Sequence, residues 1–500
     1  MKKTVLGTSI VAALALLSAC SSVDTNKSAA PVKGGDIGRS ALAANDGWAS
    51  VGGGVDGGAK AKPENVYTVS NRAELVKALA AGGTAPKIIY VKGSINLSVD
   101  DNNKELFEKD YAAPGYDFNA YVKTYAPAVW NTKLAANKRP ERKLSGPLEE
   151  AREKSSENQK KRIVIDVTSN TTIVGLGADA KIVKGNLMIG NGTENVIIRN
   201  ITFEDAFDYF AGWDPGDSWN ADKSYPGCQE AFVDAKTGPQ QCPGGRWNSE
   251  YDNISINGGK RVWIDHCTFT DGDRDDKKFP SVFPFPHNQI EQKVQHHDGL
   301  IDITNSADLV TITYNHFQKH DKTSLIGGSD SLTSDAGKLN VTYYGNYFEN
   351  SGQRLPRVRF GKVHSYNNLI VGDAAGYDPK LSGLAAHEKA LKESGAVPIY
   401  RGAFGIGKDS LIYSENNAFE IKNGGASIAG VIQGGTKFFD AGSIVNGQAA
   451  DLVAAINSVD PKRQVSADLG WKPTLYGGKT PIPAKDVPAH VRANAGAGKL

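Results

Sequence analysis

The sequence predicts an all-β fold, a solenoid of stacked short strands, and three observations predict it. After Arg162, short β-rich segments recur in which side chains alternate, most of them ending in a polar residue followed by an aromatic. Asparagine returns at what reads as the same place in several, at Asn200, Asn315, Asn346 and Asn368. The last two of these lie about 22 residues apart, close to one solenoid turn, and longer intervals elsewhere leave room for loops between turns.

The segments run Asn195–Phe203, Arg261–Phe269, Leu309–Phe317, Leu339–Phe348, Gly361–Ile370 and Ser410–Phe419. Each is too short to bury its own apolar face, so the next turn must stack on it. The repeated asparagines would then bond the backbone of adjacent turns as a ladder. A β-sandwich shares the many short alternating strands. Asparagine at the strand end, where the chain must bend, favours the solenoid. Loops from successive turns then emerge on one side and line a long groove that suits an extended polymer.

Ahead of the repeats, Lys2 and Lys3 precede an apolar run from Val5 to Ala19, shorter than the ~20 residues that span a bilayer. A basic start, a short apolar core and the small Ser18 and Ala19 make residues 1–19 an export signal. Leu17-Ser18-Ala19-Cys20 resembles a bacterial lipobox, which implies cleavage before Cys20 and lipidation of its thiol. Ser21 beside it implies the outer membrane; an unlipidated signal would give a secreted, extracellular protein. Residues 20–46 are small and polar, a tether, and the folded body is expected over 47–500. Within it, Ser70 or Asn71 caps a helix through Ala73 to Leu79, and Ile88–Val91 is a strand. The charged stretch 101–160 reads as a solvated, partly helical insertion and not a second domain.

At 500 residues and 40% hydrophobic the chain buries a large core, and a net charge of +2 argues against non-specific nucleic-acid binding. An acidic polymer would still fit a local basic cleft. In an oxidising compartment Cys228 and Cys242, in a Gly/Pro-rich segment, are expected to form a loop disulfide. Cys267, in a strand-like run, is expected to be a buried free thiol. The cysteine spacing gives no zinc pattern.

Two clusters carry candidate chemistry. Asp252, Asp298 and Asp302 offer hard oxygen donors of the kind Ca²⁺ takes. Lys322, Arg354, Arg357 and Arg359 form a basic group in which Arg357 and Arg359, two apart in a strand, share a face while Pro356 fixes the turn beneath Arg354. Taken singly, each cluster reads as solvated loop acids or a charged strand.

Together and in order they resemble the family-one pectate lyases, over about Gly47 to Leu500. The resemblance rests on Trp263-Ile-Asp-His266, His297-Asp-Gly-x-x-Asp302, His320-Asp-Lys322 followed by Gly-x-Ser-Asp330, Arg354-x-Pro-Arg-x-Arg359 with Gly361 and His364, and the closing Ala495-Gly-Ala-Gly-Lys-Leu500. It implies a right-handed parallel β-helix of three sheets, Ca²⁺ as cofactor, and eliminative cleavage of de-esterified polygalacturonate; the intervals between repeats add long loops, and the chain is expected to be a monomer that meets the membrane only through the lipid anchor on Cys20. By position, Arg354 matches the catalytic base, Lys322 and Arg359 the groups that hold substrate carboxylates, with Arg357 beside them, and Asp252, Asp298 and Asp302 the calcium ligands. Glu250 matches a position that adds an acidic ligand in some relatives, and ranks below the three. Trp263-Ile-Asp-His266 matches a structural signature.

Three other functions are weighed against this one. A pectin lyase acts on methyl-esterified polymer without calcium, and the three retained acids argue against it. A polygalacturonase-like hydrolase needs catalytic aspartates around a water, and no such motif stands on a turn. A non-catalytic polysaccharide-binding surface protein would not need Lys322, Arg354 and Arg359 together. His266, His297, His320 and His364 are expected to be packed or hydrogen-bonded, whereas Trp213 and Trp247 suit sugar stacking and core cover equally.

Overall fold

The structure, a computed structural model, describes residues 36–130, 133, 141, 143–215, 219–220, 241–242, 246–279, 282–283, 294–380, 399–477 and 479–500. Residues 1–19, expected to be an export signal, and Cys20 and Cys228 lie outside these, as does the side chain of Cys242.

Residues 37–500 wind into a right-handed parallel β-helix of three sheets. One turn shows the order: Ile254–Asn257 lies in an eight-stranded sheet, Lys260–Asp265 in a ten-stranded second sheet, and Thr268–Thr270 in a ten-stranded third sheet. The next turn returns to the first sheet at Ile301–Thr304. Pairing is parallel throughout these sheets except where Ile444–Val445 meets Gln448–Ala449 at the end of the third. Register repeats turn upon turn: Val262, Val310, Val341, Val363 and Ile412 form one buried file. Phe203, Phe269, Phe317 and Phe348 form another, with successive ring centroids 5.2, 5.1 and 4.8 Å apart. These files merge into one hydrophobic core along the axis, which no single turn could enclose.

The asparagine ladder is present, shifted by one member at each end. Asn315 Nδ2 donates to Asn346 Oδ1 at 3.1 Å, Asn346 to Asn368 at 2.9 Å, and Asn368 to Asn417 at 3.0 Å. Asn200 is not part of it. Its register partner is His266, it holds a φ of 56°, and its Oδ1 accepts from Gly498 N. Asparagine tolerates this left-handed corner conformation, so Asn200 serves the bend while Cys267, buried and free as expected, occupies the ladder position one turn on.

The ends of the body pack along the outside. The body reaches further forward than residue 47, where composition put its start: Leu42 is buried and Asp46 accepts from Tyr344 Oη. At the other end Ala497 N and Gly498 N bond Thr268 Oγ1 and Asn200 Oδ1, with φ of 106° at Gly496 and 80° at Gly498, values that favour glycine there. The early helix, Arg72–Ala80, is capped by Asn71, whose Oδ1 accepts from Glu74 N, and Lys87–Val91 is the expected strand.

The charged insertion is more structured than its polarity implies. It forms helices at Glu108–Tyr111, Phe118–Tyr125, Pro127–Trp130 and Pro147–Ile163, and the last three close a satellite core of Tyr121, Tyr125 and Trp130 against Trp213, Trp247 and Phe283. Trp213 and Trp247 therefore cover a core. The long helix is polar on average, and its buried Arg152 pairs with Glu149 and donates to Phe210 O at 2.8 Å, so the insertion docks through ion pairs and aromatic rings more than through an apolar helix face.

Candidate active site

The eight-stranded sheet positions the site. In Ile301–Thr304, Ile301 and Ile303 point into the core, so Asp302 points out. Two strands along, Val358 is buried and Arg357 and Arg359 stand outward on the same face. Strands stack about 4.8 Å apart, which sets roughly 10 Å between the acidic and basic rungs. The intervening strand, Leu325–Ile326, is preceded by Lys322 at the corner, and Arg354 precedes Arg357 at the next corner. The following rung presents Gly405 and Gly407. A β-carbon at Gly405 would lie 2.7 Å from Arg357 Cγ, and one at Gly407 3.0 Å from Arg359 Cγ, so both arginines lie flat across it.

The three aspartates come together. Asp252 accepts from Gly299 N at 2.8 Å and from Ser255 Oγ at 2.6 Å, and Asp302 accepts from Leu325 N at 2.9 Å. A β-carbon at Gly299 would lie 2.6 Å from Asp302 Oδ1 and 2.7 Å from Asp252 Oδ1, so both carboxylates converge over a position that must lack a side chain. Burial, then Asp298, pushes Asp252 up to about 7; burial, then Asp252 and Asp298, pushes Asp302 well above the carboxylate range. The third acid bonds elsewhere: Asp298 Oδ1 accepts from Lys322 Nζ at 2.5 Å. Burial alone would raise Asp298, but Lys322 and then Arg354 hold it below its usual value.

Among the described residues no three acidic, histidine or cysteine side chains stand at ligand distance around one point, because Asp298 is turned onto Lys322. The donor set nevertheless fits a hard divalent cation: Asp252 and Asp302 press together over Gly299, and Asp298 lies close enough to raise both. Glu250 is not brought in. It stands on the rim, half-exposed, 3.8 Å from Lys160.

The cations are as unusual as the acids. Arg354 has a φ of 61°, and its Nε finds no hydrogen-bond partner among the described residues. A left-handed conformation at a non-glycine residue is a recurrent mark of functional sites. Burial, then the Arg246 cation, lowers Arg354 from the ordinary guanidinium value, while Asp298, Asp302 and Asp321 oppose the shift. Burial, then Arg359 and Arg354, pulls Arg357 down to about 9. Burial also lowers Lys322, opposed by Asp298 and reinforced by Arg246 and Arg354. Arg359 donates to Asp330 Oδ1 at 2.6 Å and to Gly327 O at 2.8 Å.

Arg246 was not visible as a site residue. It lies in Arg246–Asn248, a strand paired with Gly212–Asp214 outside the helix turns, and bonds Gln295 Oε1. Nothing in a Gly/Pro-rich loop marks one arginine as returning over the groove; only the fold supplies that.

The four histidines singled out by the motifs are engaged. His297 sits between Asp205 and Asp276, His320 bonds Asp271, and His364 faces Glu415. Trp263-Ile-Asp-His266 belongs to the second sheet. There Asp265 accepts from Arg199 and Thr313 and lies 2.8 Å from His266 Nδ1, and Trp263 Nε1 donates to Thr313 Oγ1, a structural knot away from the groove sheet.

With this geometry in view, a sequence profile described as pectate lyase matches residues 28–119, 145–237 and 231–500. The chain is 42% identical over 471 residues to a pectate lyase of Bacillus subtilis, covering 93% of this chain and 94% of that one. It is 33% identical over 418 residues to pectate lyase E of Dickeya dadantii, with 82% and 78% covered. Among solved structures, a point variant of the Bacillus subtilis enzyme superposes with a TM-score of 0.77 at 41% identity, over 93% of this chain and 100% of that one. A pectate lyase bound to a hexasaccharide gives 0.76 at 41%, with the same coverage. A pectate lyase of Acidovorax avenae subsp citrulli gives 0.75 at 33%, over 96% and 99%.

Proposed function

The chain belongs to the pectate lyase family, and we propose that it cleaves de-esterified galacturonan by calcium-dependent β-elimination, releasing oligogalacturonides with a C4–C5 double bond. The observation that carries this reading is the shared outer face of one sheet, on which Asp302, Arg357 and Arg359 all stand, with Asp252, Asp298, Lys322 and Arg354 at its corners. A relative solved with a hexasaccharide supports an oligosaccharide as occupant of such a groove.

The hydrogen on C5 of a galacturonate lies α to the C6 carboxylate, and its removal builds negative charge on that carboxylate. Asp252, Asp298 and Asp302 would hold a calcium ion, which supplies Lewis-acid neutralisation of that charge when bound. Lys322 and Arg359 add fixed positive charge where it develops, once each exchanges its aspartate partner for the substrate. Arg357 holds a carboxylate of the chain. Arg354 accepts the C5 proton at a guanidine nitrogen; that bonding pair becomes the C4–C5 double bond, and the C4 oxygen departs with the C4–O pair and takes a proton from water. A guanidinium is ordinarily protonated, so burial and Arg246, which both disfavour the cation, are what make a base available. Activity is accordingly expected to rise into the alkaline range.

The test is to incubate the purified body with polygalacturonate and with highly esterified pectin, each with calcium or with a chelator, following absorbance of the unsaturated product. Absorbance on polygalacturonate only, lost with chelator, is expected. Chelator-resistant cleavage of esterified pectin would establish a pectin lyase, and new reducing ends without absorbance a hydrolase.

The same reading places the body outside the cytoplasm, where the polymer is, with residues 1–19 as export signal, lipidated Cys20 as outer-membrane anchor, and Cys228 and Cys242 paired. Mass spectrometry of the mature protein tests all three: a diacylglyceryl adduct on Cys20 and a disulfide-linked peptide are expected, whereas an unmodified N-terminus beyond Cys20 would mean a secreted form.

A further inference from the structure

Asp298 and Lys322 each precede a strand of the groove sheet by three residues, in Ile301–Thr304 and Leu325–Ile326. Neither carbonyl is therefore held by the regular ladder of that sheet. Both are held by one ring. His320 Nε2 lies 2.7 Å from Asp298 O and 3.2 Å from Lys322 O, while Nδ1 lies 2.7 Å from Asp271 Oδ1. All three partners are acceptors, so both ring nitrogens donate. The ring and Asp271 are 2% and 5% exposed, and Asp271 follows the strand Thr268–Thr270 of the third sheet. Other bonds join these two turns nearby: Leu300 N and Ile301 N donate to Thr323 O at 2.9 and 3.2 Å, Ser324 Oγ donates to Ile301 O at 2.6 Å, and Lys322 Nζ donates to Asp298 Oδ1 at 2.5 Å, but none of them holds the carbonyl of Asp298 or of Lys322.

We propose that His320, oriented by Asp271, is a positioning residue that clamps the main chain of Asp298 to that of Lys322 and so fixes the spacing between an acidic ligand and a substrate-binding cation. This rests on the roles given to Asp298 and Lys322 above. The physical case is that a metal ligand is only as well placed as the backbone that carries it, and groups that orient a ligand commonly contribute 10- to 100-fold to affinity. A ring bonded at both nitrogens to two turns and a third sheet has no rotational freedom left, whereas a packing histidine would need only one such bond.

The experiment compares wild type with His320→Ala, Asp298→Asn and the double variant His320→Gln/Asp271→Asn. Calcium affinity is read by calorimetry without substrate, kcat and KM with polygalacturonate, and fold by thermal unfolding. In the double variant the Asn amide donates to the Gln oxygen, and the Gln amide donates to the two carbonyls. His320→Ala is expected to weaken calcium binding about tenfold or more and to lower kcat, and the double variant to return calcium affinity to within about threefold of wild type. Wild-type calcium affinity and kcat in folded His320→Ala, even with a lower Tm, would overturn the proposal. Should His320→Ala not fold, the double variant decides alone: a restored affinity supports the clamp, and a tenfold loss in a folded protein refutes it. Asp298→Asn separates this from the underlying reading, because unchanged calcium affinity there would mean that Asp298 is no ligand at all.

Discussion

Lys322 Nζ donates to Asp298 Oδ1 at 2.5 Å, while Asp252 and Asp302 converge over Gly299 and stay raised despite the charges of Lys322 and Arg354. One pair is satisfied and the other is frustrated, and the imbalance has a measurable sign. Asp252 is pushed to about 7 in the folded protein from an ordinary 3.8. Between those values the folded chain keeps a proton that the unfolded chain has released, so metal-free stability falls as pH rises through this window and levels above it. Asp302 is raised in the same direction and adds to the loss. Asp298, held low, contributes stability lost only as pH falls below its ordinary 3.8, and does not confuse the window. With chelator, Tm is expected to be lower near about pH 8 than near about pH 5, and calcium to raise it more at the higher pH. Asp252→Asn should shrink the difference; an unchanged difference in that variant would show that the titration belongs elsewhere.

Gly299 gives a second test with little backbone cost, since its φ is outside the left-handed region. In Gly299→Ala the added methyl would meet Asp302 Oδ1 at 2.6 Å and Asp252 Oδ1 at 2.7 Å, forcing the carboxylates apart or the loop outward. Calcium affinity is expected to fall by about tenfold or more, measured by calorimetry. Binding of wild-type strength would mean that the ion does not sit between these two oxygens.

What could be read in advance was what repeats or what is ordered. The aromatic after each polar residue became the stacked file from Phe203 to Phe348, and asparagine at the bend became the ladder through Asn346. Asn200 was misplaced by one residue because a ladder asparagine and a left-handed corner asparagine look alike until strand register is known. Alternation placed Arg357 and Arg359 on one face correctly. Arg246 and the His320–Asp271 pair depend on contacts between segments tens of residues apart, which carry no local pattern. The satellite core under the charged insertion was hidden for the same reason: its rings come from stretches as distant as Tyr121 and Trp247.

The ladder predicts a stability effect separate from chemistry. Asn346 accepts from Asn315 N and Nδ2 and donates to Ile312 O and Asn368 Oδ1, all buried. Asn346→Ala leaves several of these groups unsatisfied, at about 1–3 kcal/mol for each buried group. A loss of about 3 kcal/mol or more in denaturant unfolding is expected, with kcat and KM of the remaining folded enzyme unchanged. A loss below about 1 kcal/mol would mean that neighbouring turns re-pair without the ladder.

Arg354 and Arg246 together give the sharpest test of the base. Arg354→Lys keeps a nitrogen base but shortens its reach and loses the planar fork, and kcat at saturating calcium and substrate is expected to fall by about 10²-fold or more across the alkaline range; wild-type turnover would remove Arg354 from the role. Arg246→Ala makes a subtler demand. Removing a cation that lowers Arg354 raises its affinity for a proton, so the alkaline rise of kcat should move to higher pH while its plateau stays near wild type. Lys322, which Arg246 also lowers and which interacts with Arg354, would hold its charge to higher pH and offset part of that shift. A profile that keeps its midpoint but loses amplitude would show that Arg246 handles substrate and does not tune the base.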